Sequence, residues 1–397
     1  MSGRTIRQGK MDRGIFFLVI ALVMIGLVMV YSSSYVRAYY DDKNKNMAVF
    51  FISNARVGLL GLIVMMLVSF IPYKLYRNIF VIIALCVAVG GLLVWLLIEG
   101  KAVNQAVRWF KVGGLSVQPS EMAKTVVILF VASMLSSKKI NINRFWYFII
   151  ILSVPGLFTT LILMQPHFST SLTILAVTFY MMVLGGTYWR YIIGTGSVLF
   201  AVVGVLIVGR DYARQRVLSL FSPELTDGKA YNQVANALGA ISSGGLFGRG
   251  LGRSVQKYLY LAASYNDMIF AIYAEEFGFF GALILILIFF VLIVRCMRLS
   301  KVVPDKFGSL LVAGITAQIA FQFAVNIGVT LGVLPTTGVP LPFISFGGSA
   351  LLTTMASMGI VLNVSRYATG IKRDRGTSSR EREMRKEGVR RREGGQV

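Results

Sequence analysis

Cysteine and histidine are nearly missing from this chain. Two cysteines, Cys86 and Cys296, and one histidine, His167, stand among 397 residues. Both cysteines fall in or beside apolar stretches, so they form neither a disulfide framework nor a metal-ligand spacing. Charge is scarce too: 14% of residues are charged and 56% hydrophobic, which excludes a soluble globule and indicates a polytopic membrane protein. No internal repeat is visible, which argues against architectures built on inverted repeats. The run from Gly248 to Gly252 (GRGLG) lacks the spacing and the strand-to-helix context of a nucleotide loop. Its glycines suit tight turns and close backbone approach instead.

The charge that is present is basic, with a formal net charge of +23. It collects at both ends and in short loops. No basic domain stands apart from the apolar segments, so nucleic acid is excluded as the partner. Arg4, Arg7, Lys10 and Arg13 precede an apolar run longer than a signal-peptide core, which makes that run an uncleaved first helix. A span needs about 20 mostly apolar residues. Ten stretches qualify: 14–31, 55–71, 79–98, 121–135, 146–164, 172–185, 191–208, 268–294, 310–330 and 344–362. The fold class expected is therefore all-α and polytopic, with both termini on the cytoplasmic side. Loop charge agrees, because Lys74, Arg77, Lys138, Lys139, Arg144, Arg190, Arg295, Arg298, Lys301 and Lys306 all fall on that side against the single acid Asp305. The chain divides into a cytoplasmic arm (1–13), a ten-helix membrane domain (14–365) and a basic tail (366–397) that is too polar to bury a core. The bland reading of the tail is attraction to anionic membrane lipids; the sharper one is contact with a cytoplasmic partner.

The long outer loop, 209–267 between the seventh and eighth spans, breaks the pattern. It carries Arg210, Arg214, Arg216, Lys229, Arg249, Arg253 and Lys257, and it ends on Asp267 at the mouth of the next span. Cations and a lone carboxylate at a membrane boundary suit an anionic substrate. From spacing alone a helix N-cap is the favoured reading of Asp267. Inside the spans charge is costly, and it is usually paired or functional. Glu121 and Lys124 are three residues apart and share a helix face, so an ion pair is expected there. Glu275 lies about 12 Å deeper than Asp267 on the same helix and is the better cavity candidate, with Lys124 as a potential partner. Glu276 points away from Asp267. His167 reads as a structural imidazole between spans. Pro335, Pro340 and Pro342 force non-helical backbone before Ile344, and Ser345 is placed to cap the last helix.

Seven motifs follow one another along these spans: Arg108-Trp109 after Ala106-Val107; the Gln118-Pro-Ser-Glu121 run with Lys124; Gln165-Pro-His-Phe-Ser-Thr170; the glycine loop 244–252; Ser254-Val-Gln-Lys257; Leu334-Pro-Thr-Thr-Gly338; and Leu341-Pro-Phe-Ile-Ser-Phe-Gly-Gly-Ser349. In this order the chain resembles the shape, elongation, division and sporulation family of bacteria, which includes FtsW, RodA and SpoVE. The Ser254–Lys257 motif is closer to the division and sporulation branch. The resemblance implies a peptidoglycan glycosyltransferase polymerising lipid II at the outer face of the cytoplasmic membrane, at the division septum or in a spore wall. It implies Asp267 as the catalytic carboxylate and a class B penicillin-binding protein, a transpeptidase, as partner, alongside other division or elongation proteins. Arg108, Trp109, Arg210, Arg214, Arg253 and Lys257 are the candidate substrate contacts, with cations needed to neutralise a leaving pyrophosphate. A divalent cation, Mg2+ or Mn2+, held partly by Asp267 is an alternative source of positive charge. Two departures stand out. His167 replaces an acid found in many members, and 261–267 reads LAASYND where an acid and a histidine often precede the aspartate. The rival readings are a flippase for the same lipid and a non-catalytic division scaffold.

Overall fold

The structure, a computed structural model, describes residues 9–41, 46–99, 109–112, 115–137, 144–165, 167–197, 204, 214–216, 218, 229–258, 260–261 and 264–368. The helices in chain order are α1 (Arg13–Asp41), α2 (Val49–Phe70), α3 (Ile79–Glu99), α4 (Pro119–Ser136), α5 (Phe145–Met164), α6 (Phe168–Gly185), α7 (Lys229–Gly244), α8 (Ile269–Val302) and α9 (Lys306–Thr330), then α10 (Gly348–Ala368). Nine of these, all but α7, are long and apolar enough to cross a membrane. The chain is an all-α polytopic membrane protein. The expected seventh span, 191–208, begins in a helical stretch at 189–197, and most of the rest of it lies outside the described residues. Arg108, Arg210, the first eight residues and the tail from 369 also lie outside them.

Two boundaries and one loop differ from the hydropathy reading. α1 continues past Tyr31 to Asp41 because Ser33 and Ser34 turn their hydroxyls back onto the carbonyls of Met29 and Val30, at 2.7 and 2.6 Å. Polar atoms satisfied within the helix do not end it. α10 starts at Gly348, after Ile344, so Ser345 does not cap it. Ser345 Oγ accepts from Leu341 N and donates to Asn266 O, tying two loops together. A short antiparallel hairpin, β1 (Phe110–Val112) with β2 (Leu115–Val117), sits where only a loop is expected. It is the only paired-strand structure among the described residues.

Enclosure separates core helices from lipid-facing ones. α4, α9 and α10 have 78%, 67% and 72% of their apolar stretch enclosed, against 22% for α3. Small residues let the helices approach. A Cβ on Gly61 of α2 would meet Met355 Sδ of α10 at 2.5 Å, and one on Gly359 would meet Met65 O at 2.6 Å. Polar ties hold the far end: Asn363 bridges Tyr73 N and Ser69 O at 2.8 Å each, and Asp305 caps α9 through Gly308 N while accepting from the Tyr73 hydroxyl.

α8 is two helices merged across a break at Gly278, where φ is 71° and ψ −168°, a region open essentially to glycine alone. Backbone groups freed inside a membrane must find partners within the protein. Here the glycine loop supplies them. Phe279 N donates to Gly245 O (2.9 Å) and Phe280 N to Leu246 O (3.2 Å), while Arg249 N and Gly250 N donate to Glu275 O and Glu276 O, both at 3.0 Å. The loop thus dips into the bundle and lies in the break. A Cβ on Gly248, at φ +80°, would lie 2.2 Å from Glu276 O. Gly248→Ala is therefore expected to cost about 2–4 kcal/mol, read as an earlier thermal midpoint in detergent. An unchanged midpoint would mean that the loop does not seat there.

Candidate functional site

The loops at the face where α8 begins are joined by a lattice of hydrogen bonds around Asp267. Asn326, near the end of α9, donates through Nδ2 to Asp267 O and to Val339 O, each at 2.8 Å. Phe346 N donates to Tyr265 O at 2.9 Å, and Ser345 adds its bond to Asn266 O at 2.6 Å. Segment 331–347 is thereby pinned to the turn that carries Asp267. Gly338, at φ +72°, lies beside the carboxylate: a Cβ there would be in ordinary contact with Asp267 Oδ2, at 3.8 Å. Phe343 is buried with φ at +66°, a conformation costing a bulky side chain about 1–3 kcal/mol. Such strain persists only where the surroundings over-determine it, as the double prolines and the Asn266–Ser345 tie do here.

The lattice extends sideways. Ser169, in the first turn of α6, donates to Thr337 O. Gln118 Nε2 lies 3.4 Å from His167 Nε2, which gives the lone histidine a joining role between the starts of α4 and α6. Gln118 N donates to Ser349 Oγ (2.9 Å), and Ser349 Oγ donates to Ser116 O in β2 (2.5 Å). The hairpin is thus the part of the outer loop that anchors α4 to α10. Glu121 and Lys124 pair at 2.7 Å, both buried. Glu121 sits in the first turn of α4, where the helix dipole favours an anion.

Asp267 itself is half-buried as a residue, but its Oδ1 is enclosed and accepts no hydrogen bond. Burial pushes its carboxyl up from 3.8 to about 6, against smaller opposing pulls from its own backbone N–H and the positive charge of Arg216. Losing hydration disfavours the ionised form. A carboxylate raised in this way, with one oxygen left unbonded, is placed to take a proton.

The described loop cations do not share one environment. Among the described residues, Arg216, one of several loop arginines in the sequence, is the cation whose field reaches Asp267. Its Nη1 donates to Thr336 O at 2.6 Å, which holds it beside segment 331–347. Nothing in its spacing sets it apart from Arg214, which is exposed. Arg253 is exposed on the glycine loop, and Trp109 is half-exposed just before β1. Lys257, expected as a substrate contact, lies inside the bundle in this structure. It is fully buried, with Nζ 2.9 Å from Glu276 Oε1 and 4.8 Å from the Tyr35 ring centre. Its charge is consumed internally because Glu276, on the side of α8 away from Asp267, needs it. Glu275 does not pair with Lys124. It accepts from Ser254 Oγ (2.5 Å) and Val255 N (2.8 Å), with Arg249 Nε at 3.9 Å, so it ties the glycine loop down.

Among the described residues no three His, Cys, Asp or Glu side chains lie together as a metal cluster. The donors at the site are hard oxygens. Asp267 Oδ1, Asn266 Oδ1 and Thr337 Oγ1 are all buried without a hydrogen-bond partner. One carboxylate with neutral oxygens suits Mg2+ or Mn2+ bound jointly with substrate phosphates, not a closed protein cage.

Fold and site together define a multi-pass membrane protein in which loops tied by hydrogen bonds hold a carboxylate with one buried oxygen at the end of the bundle where α8 begins. The family model of the FtsW/RodA/SpoVE cell cycle proteins matches residues 13–370, and the chain belongs to that family. It is 36% identical to a probable peptidoglycan glycosyltransferase FtsW of Bacillus subtilis, over 90% of this chain and 91% of that protein. It is 35% identical to the stage V sporulation protein E of the same organism, over 92% and 99%. Among solved structures it is similar to a chain of a peptidoglycan synthase complex studied for the coordination of polymerization and crosslinking (28% identity, TM-score 0.73, 90% of this chain and 98% of that one). It is also similar to the rod shape determining protein RodA of Thermus thermophilus (28%, TM-score 0.65, 90% and 97%).

Proposed function

We propose that this protein is a peptidoglycan glycosyltransferase that joins lipid II units into glycan strands at the outer face of the cytoplasmic membrane. The observation that carries the reading is the carboxylate of Asp267, one oxygen of which is enclosed without a hydrogen-bond partner, raised by burial to about 6 and held by backbone ties at the head of α8. In the reaction an acceptor sugar hydroxyl attacks the anomeric carbon of a lipid-pyrophosphate donor. Asp267 takes the hydroxyl proton as the new C–O bond forms. The bond to the pyrophosphate breaks, and the departing charge is met by Arg216, with the exposed Arg214 and Arg253 as further candidates. Arginine suits this through its planar, bidentate fork. The donor's own pyrophosphate linkage supplies the driving force. Membership of this family supports a class B penicillin-binding protein as the partner that crosslinks the product, and supports work at the division septum.

The test is polymerisation of purified lipid II by this protein with its cognate transpeptidase, followed across pH 5 to 8. A base must be ionised to act, so the rate should rise with pH through about 6 and fall about tenfold per unit below it. Arg216→Gln removes a charge that favours the ionised form, so its midpoint should move upward. A rate indifferent to pH over this range would remove Asp267 as the base. No strands from folded protein and partner would turn the reading toward transport of the same lipid.

A further inference from the structure

The face opposite Asp267 carries a groove that the polymerase chemistry does not use. A cavity of about 510 Å³ opens where α8 ends, walled on the other side by Asp12, before α1, and by Ala368 at the end of α10. Its apolar floor is Phe290, Val291, Val294 and Leu299, and Arg295 and Arg298 stand over it. From Phe290 to Arg298 the helix rises about 12 Å, so the apolar floor leads from the arginines toward the membrane interior.

The two arginines are in different states. Arg295 is fixed by Asp12, with Nε 2.9 and 3.2 Å from the two carboxylate oxygens and Nη2 2.9 Å from Oδ1. Asp12 is itself held, accepting from Gly14 N and Ile15 N and donating its own N–H to Ser365 Oγ. A Cβ on Gly14 would fall 2.2 Å from Arg295 Cζ, so the guanidinium lies flat against the start of α1. Arg298 is exposed and makes no hydrogen bond or ion pair among the described residues. With Asp12 and Arg295 cancelling, the groove holds one net positive charge above an apolar trough. The volume is within the range of small-molecule sites, and basic pockets at helix ends suit anionic headgroups.

We infer that this groove binds one anionic phospholipid from the leaflet on this side, its phosphate against Arg298 and the outer edge of Arg295 and an acyl chain along Phe290–Val294. A zwitterionic lipid brings its own cation to the phosphate and gains less from Arg298. The test is native mass spectrometry of the full chain in detergent with dioleoyl phosphatidylglycerol or dioleoyl phosphatidylcholine. Wild type should hold phosphatidylglycerol the more tightly, and Arg298→Gln should weaken that binding about tenfold with no change in thermal midpoint. Lys301→Gln is the control. Lys301 is exposed on the same helix but does not line the groove, and its variant should bind as wild type does. Equal losses from both variants would mean diffuse surface attraction and overturn the site. Equal retention of the two lipids, or full retention by Arg298→Gln, would overturn it as well.

Discussion

Asp267→Asn should lower the rate of strand synthesis by about 10²–10⁴-fold, the contribution typical of a positioned base, while leaving the protein folded. The ties that hold this turn run through backbone atoms: Asn326 bonds to Asp267 O, Ser345 to Asn266 O and Phe346 N to Tyr265 O. Asparagine keeps all three, keeps the side-chain size and loses only the carboxylate. The sign of the stability effect separates base from cap. Asp267 holds its proton more tightly in the folded protein, near 6, than at its ordinary value of 3.8. Ionisation therefore opposes folding, and the wild type loses stability as pH rises from about 4 to about 6. The asparagine variant escapes that loss and should melt no earlier than wild type at neutral pH. A carboxylate kept to cap α8 would show the reverse, a lower midpoint with strand synthesis intact. Met268, not Asp267, occupies the cap position, and no side-chain cap bond is made there. Wild-type strand lengths from the asparagine variant would end the assignment.

The spans are legible in the sequence because a run of apolar residues long enough to cross a bilayer has few other uses. Boundaries are less so. Ser32, Ser33 and Ser34 look like an exit from the membrane, yet their hydroxyls are satisfied within α1 or by Glu276, and a hydropathy count cannot see such partners. Asp267 is legible through its place at the end of a basic loop and through the motif order around it. Arg216 is not, because its relation to Asp267 depends on segment 331–347 folding back across α9, a contact more than a hundred residues away along the chain. The glycines at 244–252 announce close approach, but not its object. Only the break at Gly278, with four backbone bonds running to the loop, explains why Glu275 and Glu276 face a loop and not a substrate cavity.

That arrangement gives the second large expectation. Lys257→Met should destabilise the protein by about 3–5 kcal/mol, the usual result of stripping one partner from a buried pair. Both side chains of the Lys257–Glu276 pair are fully enclosed, and Ser32 Oγ lies 2.6 and 2.8 Å from the two Glu276 oxygens. One hydroxyl cannot replace an ammonium for a carboxylate out of water. Removing both charges is a different experiment. Lys257→Met with Glu276→Leu deletes the desolvation cost along with the attraction, and such replacements are often neutral or better. The double variant should therefore recover most of the lost thermal midpoint. Its rate of strand synthesis then decides between two roles for Lys257. If the ammonium only neutralises Glu276 behind α8, as its burial requires, the double variant polymerises at close to the wild-type rate. If it leaves the pair to meet a pyrophosphate, stability returns and the rate does not. We expect the first outcome. An ammonium with no exposed surface, held between a carboxylate and the face of Tyr35, would have to break its strongest interaction to reach a ligand, whereas Arg214 and Arg253 are already in water.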